Sequence, residues 1–381
     1  NLFYQGLRKR RNNMADQKKE KFNKKLPTVL YIVRDEGGCG FFRCYQPAKF
    51  LRRHGLMNTI TDMHTTTPEH IMQADIIVFQ ALGTLKSVEA MNFAKSKGKK
   101  VVIEIDDFLH VVSPNNIGGY PFWNPGGLGL HRFTEQLKKA DALTVATPQL
   151  AREYFPHNPN IYVLPNYLDQ EKWDNPLTKK EDGYLRIGWA GGNAHIDDIK
   201  MIAPVMEKII RKYKGKVKFE NMGLTKGELT SVFKLEEFDH VCPKCDYQGD
   251  AKTFAAESLD NYPLMLATHG WDIAIAPVVN TAFNSAKSDL KLKEYSATGY
   301  PTVASMVTPY IEAKELGCNV LLAKDFKSWY NYIVELIEKP DLRRKMIKEN
   351  KEWVSNYYID QNIKHHYDVY MKILNKTNKK S

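Results

Sequence analysis

"FNSAKSDLKLKEYSATGYPTVAS", residues 283–305, decides how this chain folds. Ser288 and Asp289 are residue types that open helices, Gly299 is one that closes them, and Pro301 leads into a short β-rich run. A helix bracketed between apolar strands in this way is part of a strand-helix-strand crossover, the building unit of parallel sheets. Its N-terminus presents backbone N–H groups without intrahelical partners, and Lys287, Lys291 and Lys293 stand close by with Glu294 one turn in. Such an end suits a phosphate. A solvated lysine face is the plainer alternative.

Working outward, the same pattern repeats along the chain. "LPTVLYIVR" (26–34) is a short apolar, β-rich run of the kind found in buried parallel strands. A Gly-rich turn and a helix ending near Gly55 follow it. "ADIIVFQ", "KKVVIEIDD", "ADALTVAT" and "NIYVLPN" continue the series, mostly separated by helical or loop segments. The polar, Pro/Gly-punctuated stretch 167–183 reads as a linker. "YLRIGWAGG" (184–192) then restarts the pattern, and "KVKFENMG", "WDIAIAPVV", "YPTVASM" and "NVLLAKD" complete it. The expected fold is α/β, with two successive doubly wound Rossmann-like units facing each other across a cleft: residues 26–170 and 184–340. A helical segment with a basic tail occupies 341–381. Ligands of open α/β sheets bind beyond the carboxyl ends of the strands, so the chemistry is expected between the two units.

Composition bounds the function. A chain of 381 residues, 43% hydrophobic, can bury two domain cores. The net charge of +11 invites a nucleic-acid reading. However, residues 1–25 carry +7 and residues 371–381 carry +4, leaving 26–370 neutral overall. DNA therefore stays open only through the tails or a local patch. The opening "NLFYQG" reads as a protease-site remnant, with Met14 as a native start. No apolar run of membrane-spanning length and no signal segment occurs, and five cysteines spread thinly argue against a disulfide framework. A cytoplasmic protein without a membrane span is the expectation.

Four further segments can carry chemistry. In "DEGGCGFFR", Gly37, Gly38 and Gly40 would let backbone approach a ligand at a helix start, though a plain tight turn fits equally. Arg43, one turn on, would face an anion or cap a surface. "EIDDFLH" places Glu104, Asp106 and Asp107 at a strand's carboxyl end, where paired acids bind a metal or do acid/base work. Helix capping by Asp107 is the ordinary alternative. "IGWAGGNAH" supplies Gly191, Gly192 and His195 in the counterpart turn, with His195 a ligand contact or a structural histidine. Finally, Cys242 and Cys245 in "HVCPKCDYQGD" form half of a zinc knuckle. Two more ligands would have to come from Asp239, His240, Asp246 or a partner chain, and a turn stiffened by Pro243 is the alternative.

Taken together, "VLPNYLD", "LRIGWAGG", "IAIAPV" and "KLKEYSATGYPTVAS" resemble the retaining GT-B glycosyltransferases of glycosyltransferase family 4, which has bacterial and phage members. The resemblance covers most of residues 26–375 and is strongest from Val163 onward. It implies transfer of a sugar from a nucleoside-diphosphate sugar, most simply a UDP-sugar, to an acceptor hydroxyl without a catalytic metal. The second domain would hold the donor and the first the acceptor. Glu294 occupies the place of the glutamate that binds the ribose hydroxyls. Ser288 and Asp289 would meet the diphosphate, with Lys287 and Lys291 as catalytic cations; Gly38 and Gly40 would approach it from across the cleft. Gly191, Gly192 and His195 would sit beside the donor. Asp106 aligns with a position often held by histidine and would orient acceptor or donor sugar, and Arg43 and Asp107 fall on the acceptor side. The family's second glutamate, eight residues before the first, is Ala286 here, so Asn284 or Ser285 would substitute in holding the sugar. The acceptor stays open among a glycan, a lipid-linked sugar, a protein and a modified DNA base. Two other classes stay open as well, a nucleotide-sugar epimerase or hydrolase of the same fold and a non-catalytic nucleotide-binding module.

Overall fold

The computed structural model describes residues 27–116, 118–178, 180–233, 251–254 and 258–376. The apolar runs become two six-stranded sheets in which every pairing is parallel. The first has the order β2-β1-β3-β4-β5-β6, from β1 (Val29–Val33), β2 (Asn58–Asp62), β3 (Ile76–Gln80), β4 (Lys100–Ile105), β5 (Ala142–Val145) and β6 (Ile161–Val163). The second has the order β12-β11-β10-β7-β8-β9, from β7 (Leu185–Ala190), β8 (Val217–Met222), β9 (Ala251–Phe254), β10 (Ile273–Ala276), β11 (Thr302–Ser305) and β12 (Leu321–Ala323). β1, β3, β5 and β10 are buried along their whole length, which is why they read as unbroken apolar runs rather than alternating ones.

The helices bury one stripe each. α1 (Gln46–Arg53) sinks Ala48, Phe50 and Leu51 against β1. α2 (Ile196–Lys212) places Ile199, Ile202, Met206 and Ile209 on the second sheet at helical spacing. α3 (Leu290–Thr298) runs from Asp289 to Gly299, whose φ of +97° closes the helix in the left-handed region that glycine adopts at little cost. α4 (Phe326–Glu338) and α5 (Pro340–Val354) stay with the second sheet, burying Ile333, Leu336 and Met346 there.

The chain then returns. α6 (Ile359–Asn375) lays Ile359, Ile363, Val369, Tyr370 and Ile373 into the core of the first domain beside Val29, Tyr31 and Phe50. Tyr31 and Tyr370 join hydroxyls at 3.1 Å. The outbound and returning crossings run side by side: Leu168 N–H donates to Tyr357 O at 3.0 Å and Ile359 N–H to Leu168 O at 2.8 Å. The domains therefore meet at two adjacent strands of chain as well as along the cleft. Among the described residues, no helix is long and apolar enough to cross a membrane.

Candidate functional site

A cavity of about 550 Å³ lies between the domains, at the carboxyl ends of both sheets. From the first domain it is lined by Gly38, Asp106 and Asp107, and from the turn after β7 by Gly191, Gly192 and His195. The segment leading into α3 contributes Asn284, Lys287, Ser288, Lys291 and Glu294. Residues as far apart in sequence as Gly38 and Glu294 thus share one cleft.

α3 begins at Leu290, and Asp289 before it makes no capping hydrogen bond with its side chain. Leu290 and Lys291, the first residues of the helix, line the cavity with Lys287 and Ser288, and the first N–H groups of a helix have no intrahelical partner. Glu294 is 5% exposed; its Oε2 accepts from Tyr262 OH and lies 3.1 Å from Lys291 Nζ. A carboxylate held from one side in this way keeps its other oxygen for a ligand. Lys293, by contrast, turns inward: it is 2% exposed, its Nζ lies 2.6 Å from Asp289 Oδ1, and it donates to Asn166 O at 3.0 Å. That ion pair takes Asp289 away from the cavity. Asn284 lines it, braced by its Nδ2 donating to Val279 O at 2.9 Å.

His195 Nδ1 lies 2.7 Å from Asp198 Oδ2, and burial, with Lys287 and Lys291 nearby, lowers the imidazole pKa below its ordinary value. Burial and the two ammonium groups favour the neutral ring, against the pull of Asp198. Because a carboxylate only accepts, Nδ1 carries the proton and Nε2 is left as an acceptor. Asp198 is itself buried and takes a second bond from Val279 N–H at 2.6 Å, tying the turn after β7 to the one after β10.

On the first-domain wall, one thiol and two carboxylates, from Cys39, Asp106 and Asp107, come within 4.8 Å of one another. Burial and the Asp106 charge push the Asp107 carboxyl up to about 6, while Lys287 and Arg34 pull the other way. The Cys39 thiol is likewise pushed well above its usual value, chiefly by burial. Burial and the neighbouring carboxylates thus favour its protonated form. Asp107 does not cap the short 3₁₀ turn that follows, Leu109–Val111, whose N-cap is Phe108.

Two first-domain expectations are corrected. Arg43 does not reach the acceptor side. It is 2% exposed and closed in by Glu104, 2.8 Å from Nε, and by Leu164 O and Asn166 Oδ1 at 2.6 and 2.7 Å from Nη1. It neutralises a buried carboxylate. Gly40 does not line the cavity either; a Cβ there would stand 1.9 Å from Asp35 O, so the glycine lets the turn close on itself. Cys242 and Cys245, with Asp239, His240 and Asp246, lie outside the described residues.

Several lining residues were invisible to sequence reasoning. Tyr262, Trp173 and Tyr310 also face the cavity, brought there from segments without a motif, and Asn166 joins them from within "VLPNYLD". Trp173 and Tyr262 pack edge to face with ring centroids 5.8 Å apart.

No protein-family model matches the chain, and no curated protein sequence does. Solved structures do match in fold. TarM superposes with a TM-score of 0.56 at 13% identity, over 79% of this chain and 55% of TarM, so the chain spans just over half of that protein. Anabaena HepE, solved with UDP and glucose, gives 0.63 at 12% identity over 91% of this chain and all of HepE. A glycosyltransferase from Rickettsia africae gives 0.62 at 12% identity over 93% of this chain and all of its own. A putative UDP-N-acetylglucosamine 2-epimerase from Listeria monocytogenes shares the fold as well. The architecture is GT-B: two parallel-sheet Rossmann-like domains with a cleft between them.

Proposed function

We propose that this protein is a glycosyltransferase that moves a sugar from a nucleoside-diphosphate sugar, a UDP-sugar in the simplest case, to an acceptor hydroxyl. The observation that carries the reading is the N-terminus of α3. Helix N–H groups, the Ser288 hydroxyl, two ammonium groups and the Glu294 carboxylate converge there on one interdomain cavity. That set matches a diphosphate joined to a ribose: donors and positive charge for the phosphates, a carboxylate for two vicinal hydroxyls.

As the bond from the anomeric carbon to the phosphate oxygen breaks, its electron pair stays on the diphosphate. Lys287, Lys291 and the helix end stabilise that charge. Fixed cations at this point make a divalent metal unnecessary for departure. The acceptor oxygen forms the new bond to the anomeric carbon on the face that the diphosphate leaves, its hydroxyl proton passing to the departing phosphate oxygen, while Asp106 and Asp107 on the first-domain wall orient the hydroxyls. The configuration at that carbon is retained, in keeping with the family resemblance. Gly191, Gly192, His195 and Asn284 surround the sugar, and the His195 Nε2 lone pair accepts from one of its hydroxyls. Ala286 leaves the family's second carboxylate unfilled, so these neutral groups carry sugar selection.

Titrating UDP, GDP, ADP and their common sugar conjugates, first in EDTA and then with Mg²⁺, tests the reading by calorimetry. Tight binding of one nucleotide in EDTA is expected. No binding to any of them rejects the donor site, and binding only with Mg²⁺ rejects the metal-independent departure.

A further inference from the structure

The cleft contains a relay of hydrogen bonds that begins inside the first domain and ends on the donor helix. Thr144 Oγ1 donates to Glu104 Oε2 at 2.5 Å, and Glu104 Oε1 accepts from Arg43 Nε at 2.8 Å and lies in ion-pair contact with Nη2, 2.7 Å away. Arg43 Nη1 donates to Asn166 Oδ1 at 2.7 Å, and Asn166 Nδ2 donates to Ser288 Oγ at 3.1 Å. Lys293 fixes the backbone of the same residue through Asn166 O.

The direction of this chain follows from chemistry. A guanidinium has donors only, so the Asn166 amide must turn its oxygen to Arg43 and its NH₂ to Ser288. Ser288 Oγ then accepts, and its own proton is left to donate. Ser288 lines the cavity, next to the first free N–H groups of α3.

We infer that Asn166 is a positioning residue for the donor phosphates: by donating to Ser288 it aims the serine O–H at a phosphate oxygen, and through Arg43 it ties that aim to the first domain. This rests on the donor-site reading above. It also gives the chain crossing between domains a role in donor binding, because Asn166 stands at the start of that crossing, after Leu164 and Pro165, which follow the end of β6.

A double-mutant cycle read by UDP and uridine titration tests the inference. Ser288→Ala and Asn166→Ala should each weaken UDP about tenfold, as expected for one hydrogen bond to a charged group. Uridine, which has no phosphate, should be affected by neither. In the double variant, UDP should be no more than about threefold weaker than in either single one, since both changes remove the same bond. An additive loss of about a hundredfold, or an equal loss for uridine, overturns the relay and leaves the donor site standing. Wild-type protein that binds neither UDP, GDP nor ADP overturns both. Should Asn166→Ala not fold, Ser288→Val against Ser288→Thr decides: UDP weaker for valine than for threonine supports the aimed hydroxyl, and equal affinity overturns it.

Discussion

Residue chemistry sets the first predictions. Glu294 lines the cavity, and Tyr262 and Lys291 both hold it at Oε2. Glu294→Ala should weaken UDP by about 2 kcal/mol, the size of charge-assisted bonds to two hydroxyls, and an unchanged Kd would remove its ribose role. Lys291→Ala should lower kcat more than donor affinity if the ammonium serves the departing phosphate, and steady-state kinetics separates the two. Asp107 gives a pH signature. Its folded pKa, pushed up to about 6, stands above the ordinary carboxylate value, so ionising it opposes folding. The penalty is absent at pH 3 to 4, grows as pH rises, and is complete above about 6. Asp107→Asn should therefore raise Tm at pH 7.5 and leave it nearly unchanged at pH 4; the reverse order would contradict the burial argument.

Elements are constrained by close approach as much as by pattern. Gly188 lies in β7 directly under the Trp271 ring, where an added Cβ would stand 1.7 Å from Cδ2. Trp271 cannot move aside freely, because Nε1 donates to the buried Glu220 at 2.9 Å. Gly188→Ala should cost about 3 kcal/mol through overpacking, read from the urea midpoint. Two strands escaped the sequence reading, β2 and β9, and both are sheet edges. β2, "NTITD", is half exposed and polar, so it lacks the apolar run that marked its neighbours. The turn into α1 misled in another way. Counting residues placed Arg43 one helical turn in, facing an anion or capping a surface, but Phe41–Tyr45 form a wide π-type turn, and Arg43 is buried against Glu104.

At the scale of the whole molecule, α6 makes the last helix in sequence part of the first domain. Ile363 is 2% exposed in that core, and Ile363→Ala should destabilise the protein by about 3 kcal/mol while leaving UDP affinity of the folded protein unchanged. Thermal unfolding with and without UDP measures both. Across the cleft, Thr147 Oγ1 donates to Ala286 O at 2.8 Å, and Ala286 is buried against the first-domain core. Position 286, where the family resemblance leads one to expect a second glutamate, is thus taken up by a contact between domains.

The sequence by itself determined the class of fold and the helix whose start lines the interdomain cavity. Strands buried on both faces must be apolar throughout, and a helix must show its start, its end and the charges beside its N-terminus locally. Ser288, Glu294 and Gly299 carried that information within a dozen residues. The partners of Arg43, the approach of Tyr262 to Glu294, the relay through Asn166 and the return of α6 were decided only by tertiary structure. Each depends on residues far apart in sequence, and a buried charge or hydrogen bond identifies its partner only when folding removes water from both.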